Sequence, residues 1–236
     1  MQILVQTITD SAVDLADMRN SQFIDQSGQP GSELIRYANM AYKDLYQQIV
    51  LSYESYCITS YDFPLVGGVD TYALPDDFYK LNGVDLLFGD SGIRFTLTPY
   101  MFKDRNRYSS GLASPITFYG QNYQYDIVRG NIKFIPLPSG SYNIRLWYTP
   151  NPEVITTFSQ TLSLPIGGDE YMSLYCACAM KAKEEDDSSQ LDQKRIEVLM
   201  QLKNSLRSRD VGSPMYIVDE YSINAGALFP FSGGGF

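Results

Sequence analysis

Residues 71–87, TYALPDDFYKLNGVDLL, decide how this chain is read. Pro75 removes a backbone donor and fixes its own φ, and it pushes Leu74 toward an extended conformation. Asp76 and Asp77 then bond nearby amides and open a short turn, and Phe78 and Tyr79 return an aromatic anchor to a sheet. A strand resumes over residues 83–88. Strand, Leu74-Pro75-Asp76-Asp77-Phe78 corner, strand: the device organises a β region and offers no chemistry of its own.

Working outward, everything from Glu54 to Ser163 reads as β. The expected strands are residues 55–63, 71–74, 83–88, 93–98, 116–120, 123–129, 131–137, 142–148 and 161–164. Turn signals separate most of them: Gly67-Gly68, Gly89-Asp90, Gly120-Gln121-Asn122, Gly130-Asn131 and Ser139-Gly140. Residues 116–149 read as a meander of hairpins with alternating patterns such as Ile132, Phe134 and Ile144, Leu146. One short helix, residues 100–107, is expected after Pro99.

Helices flank this block. The first spans residues 11–20, with Thr9 or Asp10 as its cap. The second, residues 32–53, steps Leu34, Ala38, Ala41, Leu45 and Ile49 by threes and fours and would span about 33 Å. The third, residues 169–185, follows Gly167-Gly168 and sets Tyr171, Leu174, Tyr175, Cys178 and Ala182 on one side. The fourth, residues 189–208, repeats Leu191, Ile196, Leu199, Leu202 and Leu206. The acidic link Glu184 to Asp187 lies where the fourth helix dipole favours it, so the pair reads as an antiparallel hairpin.

Helices, β block, helices imply an α+β chain. A helical domain, residues 1–53 and 165–209, would carry an inserted antiparallel β-sandwich-like domain, residues 54–164. An extended C-terminal tail, residues 210–236, follows. No charge occurs after Glu220, and the tail's apolar residues lack helical period. Such a segment must pack on something, either its own chain or a neighbouring subunit. Its docking candidates are Met215, Tyr216, Ile217, Val218, Tyr221, Leu228, Phe229, Phe231 and Phe236.

Composition narrows the chemistry. The chain's 236 residues contain 19 Tyr and no His. Imidazole-dependent triads and histidine zinc sites are therefore excluded. A net charge of −9 removes a basic footprint for nucleic acid, although an acidic wall lets a duplex slide rather than stick. Cys57, Cys176 and Cys178 are an odd set suited to a reducing compartment and read as buried thiols. The opening MQILVQTITD lacks a signal peptide's basic start, and no run approaches the roughly 18 apolar residues of a membrane span. The expectation is a protein kept in cytosol-like conditions, with no membrane role.

No catalytic, cofactor or metal site emerges. Gly67-Gly68 and Gly233-Gly234-Gly235 lack the Lys-Ser/Thr of a phosphate loop, and neither Asp76-Asp77 nor Glu184 to Asp187 has calcium-loop spacing. Tyr100, Tyr108, Tyr119, Tyr123 and Tyr125 with Trp147 could form a stacking surface for sugar or bases, or serve as strand and interface residues. Lys103, Arg105 and Arg107 make a small basic patch.

The opening GSELIRYANMAYKDLYQQI, the YALPDDFYKLNGVDLL segment, the hairpin IKFIPLPSGSYNIRLWYTPNP and the helix GGDEYMSLYCACAMKAKEED together resemble the head-to-tail adaptor (connector) proteins of tailed, particularly short-tailed, bacteriophages. The resemblance implies a non-enzymatic virion protein at the head–tail junction, assembled in the host cytoplasm. It implies a homo-oligomeric ring of about twelve copies beneath the portal protein, helices toward the portal and β domain toward tail or nozzle proteins. Double-stranded DNA would pass through without specific binding, and the C-terminal tail would reach the portal or adjacent subunit. The alternative is a carbohydrate-binding or tail-tip β protein.

Overall fold

The computed structural model describes residues 1–19, 21, 24–88, 93–104, 123–138 and 140–208. The order is β1 (Gln2–Leu4), α1 (Val5–Ala16), α2 (Glu33–Ser52), a 3-10 turn (Glu54–Cys57), β2 (Thr59–Leu65), β3 (Thr71–Ala73), β4 (Phe78–Phe88), β5 (Ile93–Thr96) and β6 (Thr98–Pro99). A second 3-10 turn (Phe102–Asp104) is followed by β7 (Gln124–Val128), β8 (Asn131–Ile135), β9 (Tyr142–Pro150), β10 (Thr161–Ser163), α3 (Gly168–Lys183) and α4 (Ser189–Ser208). The fold is α+β. The expected strand 116–120 and the tail 210–236 lie outside the described residues.

The predicted α2 and α4 agree with the structure within a residue or two. α1 does not: it starts at Val5, not Ser11. Val5, Ile8, Ala12, Val13 and Ala16 are buried at helical spacing. Thr9, read as a cap, sits inside the helix and donates its hydroxyl back to the carbonyls of Val5 at 3.2 Å and Gln6 at 2.9 Å. The helix ends where Asp17 turns left-handed (φ 59°), with Asp17 N–H on the Asp14 carbonyl and Met18 N–H on that of Val13.

α3 is the second departure. Its buried residues include Tyr171, Met172, Leu174, Cys176, Ala177 and Met180, so its apolar surface runs around most of the cylinder rather than along one side. It packs against α1, α2 and α4 and forms the centre of the bundle. In α4, Val198, Leu202 and Leu206 face this core. Ile196, expected inside, is exposed because it lies about 140° round the helix from Leu191.

The β region forms two four-stranded sheets, ordered β2-β9-β4-β5 and β3-β8-β7-β6. Among the described residues only the short β6–β7 pair is parallel. Leu65, Val84, Leu86, Ile144 and Leu146 from the first sheet share a core with Ile132 and Phe134 from the second, so the sheets stack as a sandwich. β7 and β8 make the expected hairpin, with Arg129 (φ 50°) and Gly130 (φ 78°) as its two-residue turn. The meander stops there. β8 and β9 belong to different sheets, and Pro136 and Pro138 remove amide donors from the stretch between them.

A second apolar core is separate from the sandwich. It gathers α1, α2, α3 and α4 with Ile155, Leu162 and Leu164. β10 therefore does not join the sandwich; it pairs antiparallel with β1 and lines the helical core.

Candidate functional site

The Leu-Pro-Asp-Asp-Phe corner carries the chain from β3 in one sheet to β4 in the other. Leu74 is buried in the sandwich core. The Phe78 amide donates to the Pro75 carbonyl at 3.0 Å and closes the turn over Asp76 and Asp77, both exposed. Phe78 stacks on Tyr148, ring centroids 5.8 Å apart. The Tyr148 hydroxyl donates to the Asp77 carboxylate at 2.9 Å. Burial pushes that phenol up to about 12, and the Asp77 contact adds to it. The Asn151 amide donates to the Asp77 carbonyl at 2.5 Å, tying the corner to the strand end where the chain leaves the sandwich.

That exit is held from the helical side by α2. The Tyr46 hydroxyl donates to the Pro150 carbonyl at 2.6 Å, and its pKa is raised by burial and by neighbouring Cys57. The Asn39 side-chain amide bonds both backbone groups of Ile155. Two side chains from one helix, through three hydrogen bonds, thus fix the start and end of residues 150–155. Further along, the Tyr171 hydroxyl donates to Asp44 and joins α3 to α2. Lys183 donates to Glu33 at 2.6 Å, and this pairing holds the Glu33 carboxyl below its usual range.

Among the described residues, the tyrosines and Trp147 do not share one stacking surface. Tyr123 is buried in the sandwich core and Tyr125 packs against it, both on the β3-β8-β7-β6 side. Trp147 lies on the outer face of the other sheet, with the Arg145 guanidinium 5.6 Å above its ring. Its indole N–H donates to Asp85 at 2.7 Å, while Arg145 makes two bonds of 2.7 Å to Asp62. The Arg145 partnership holds the Asp62 carboxyl below the usual carboxylate range. Every charged group in this row already has a fixed partner. Tyr108, Tyr119, Arg105 and Arg107 lie outside the described residues, and Lys103 sits on the second 3-10 turn.

Surfaces left for partners lie elsewhere. α2 presents an outward row, Arg36, Met40, Lys43, Gln47 and Leu51, with Leu51 81% exposed. Sequence reading followed the buried stripe and passed over this row, although Met40 and Leu51 fall off that stripe and signal it. α4 offers Ile196 and Met200. At the sandwich, Val66, Val69 and Leu137 are exposed around a turn pinned by the Tyr72 hydroxyl, which accepts from the Val66 amide at 2.7 Å.

The tail candidates Met215, Tyr216, Ile217, Val218, Tyr221, Leu228, Phe229, Phe231 and Phe236 lie outside the described residues. Among the described residues no cluster of three or more His, Cys, Asp or Glu could hold a metal ion, and no helix is long and apolar enough to cross a membrane. Cys176 and Cys178 are buried, and burial pushes their thiols up to about 12 and about 11.

No individually curated protein matches the chain. The family described as SU10 adaptor protein matches it over residues 4–217, from the first strand across both cores and into the start of the tail. A match of that extent covers each of the four segments that resemble phage connectors, and the chain belongs to the SU10 adaptor family of bacteriophage head-to-tail structural adaptors.

Proposed function

We propose that this adaptor is a ring-forming virion protein that joins the portal protein to the tail or nozzle proteins and lets the double-stranded genome pass through its lumen. The observation that carries this reading is the division into two apolar cores held at one junction by α2. The helical core, α1–α4 with Ile155, Leu162 and Leu164, faces the portal, and the inserted sandwich, β2 to β9, faces the tail. About twelve copies close the ring, as the family resemblance implies. The work is assembly rather than catalysis.

Charge fits a conduit. At −9 the chain repels phosphate, so DNA moves past without sticking. The tail, residues 210–236, reaches the portal or the adjacent subunit through its apolar residues. Assembly takes place in the host cytoplasm. The carbohydrate-binding or tail-tip reading has less support, because Trp147 and Tyr125 occupy different sheets.

Electron microscopy of the protein mixed with portal-bearing heads tests the proposal. A ring beneath the portal is the expected result; protein that stays apart from the heads overturns it. Truncation after residue 210 should leave a folded chain that no longer attaches.

A further inference from the structure

Two features of the helical core face opposite ways and complement each other. The first is a cavity of about 470 Å³ beside the end of α1. Asp10 and Asp14 stand on its wall, Val13, Leu34 and Phe158 supply apolar lining, and Arg19 is already committed to Asp14. Asp10 forms no salt bridge among the described residues. The volume is that of a small-ligand pocket, about 300–1,000 Å³.

The second is the outward row of α2. On a chain of charge −9, its five exposed positions 36, 40, 43, 47 and 51 carry Arg36 and Lys43 and no acid. Lys43 forms no salt bridge among the described residues, and Met40 beside it is 52% exposed. Leu34 belongs to the same helix but lines the cavity. Met40 and Lys43 follow it by six and nine residues, which at 100° each sets them about 240° and 180° round the axis. The row and the cavity therefore open on opposite sides of one helix.

We propose that Met40 and Lys43 of one copy seat in the Asp10–Asp14 cavity of the next, making the head-to-tail contact of the ring. Heterologous contacts close into rings only when donor and acceptor patches occupy different faces of the same subunit, as here. Met40 meets the apolar lining while the Lys43 ammonium meets Asp10, a pairing that also sets register. This contact rests on the ring reading above.

The test is a charge exchange in the full-length protein, with ring formation on portal-bearing heads read by electron microscopy and mass in solution. Lys43→Glu and Asp10→Lys each create a like-charge contact and should each cut assembly roughly tenfold or more. Both positions are exposed, so both variants should melt as the wild type does. The double variant, or an equimolar mixture of the two single variants, restores opposite charges at every contact and should assemble again. Wild-type rings that form while either single variant assembles normally would overturn the contact alone and assign the cavity another occupant. Singles that fail without rescue by the double variant overturn it too. Wild-type protein that forms no ring on heads removes the ring reading and the contact together.

Discussion

Asn39 on α2 and Ile155, far along the chain, exchange two hydrogen bonds: Asn39 Nδ2 donates to the Ile155 carbonyl at 2.8 Å, and the Ile155 amide donates to Asn39 Oδ1 at 2.9 Å. The side chain meets the returning backbone as a neighbouring strand would. Ile155 is buried at this point, where water cannot replace a lost partner.

Asn39→Ala should therefore destabilise the protein by about 1–3 kcal/mol, since it strands a buried donor and acceptor together. Asn39→Asp should also destabilise, because a carboxylate cannot donate to the carbonyl. Chemical denaturation measures both, and an Asn39→Ala variant as stable as the wild type would show that the clamp does not hold the junction.

The two apolar cores should respond separately to truncation. Phe134→Ala empties the sandwich core and Met172→Ala the helical core, at about 3–5 and 2–5 kcal/mol respectively. Hydrogen exchange should then accelerate mainly within residues 59–150 for the first variant and mainly in α1–α4 for the second. Uniform acceleration across the chain in both variants would mean that the cores open as one unit.

Alkaline pH should weaken the fold through its tyrosines. Burial raises Tyr42 to about 12, and Tyr148 also to about 12, while Tyr46 and Tyr171 are shifted up as well. A phenol raised in the folded state contributes its stability in full below the unfolded value of about 10 and loses it as pH climbs toward the folded value. Denaturation midpoints should accordingly fall between about pH 10 and 12. Tyrosinate absorbance should appear in two stages, exposed groups first. A single wave of ionisation near pH 10 in a still-folded protein would contradict this account.

Thiol chemistry gives a fourth check. The thiolate is the reactive form, and burial pushes Cys176 up to about 12 and Cys178 up to about 11. Cys57 is raised too but is half-buried at the surface of the helical core. An alkylating reagent at neutral pH should modify Cys57 first and Cys176 last, as read by mass spectrometry of digests. Early labelling of Cys176 would place it outside the core.

Local chemistry made much of this molecule legible. The apolar period from Leu34 to Ile49 defines α2, and Gly130-Asn131 between two alternating runs signals the β7–β8 hairpin, whose turn the structure places one residue earlier, at Arg129-Gly130. Where a long-range contact competed with a local signal, sequence reading failed. Thr9 looked like a cap until α1 was extended by its buried Val5 and Ile8. Ile144 and Leu146 looked like the hairpin partners of Ile132 and Phe134, yet they face them across a sandwich.

Residue identity alone settles which positions are apolar, which bonds the backbone can make at Pro75, Pro136 and Gly130, and which chemistries a chain without histidine lacks. Those are properties of single residues and their near neighbours. Tertiary packing was needed to put Trp147 and Tyr125 in different sheets, α3 at the bundle's centre, and the α2 row and the Asp10 cavity on opposite sides. Each depends on how distant segments pack, and a two-residue periodicity or a helical stripe records a buried face without naming what covers it.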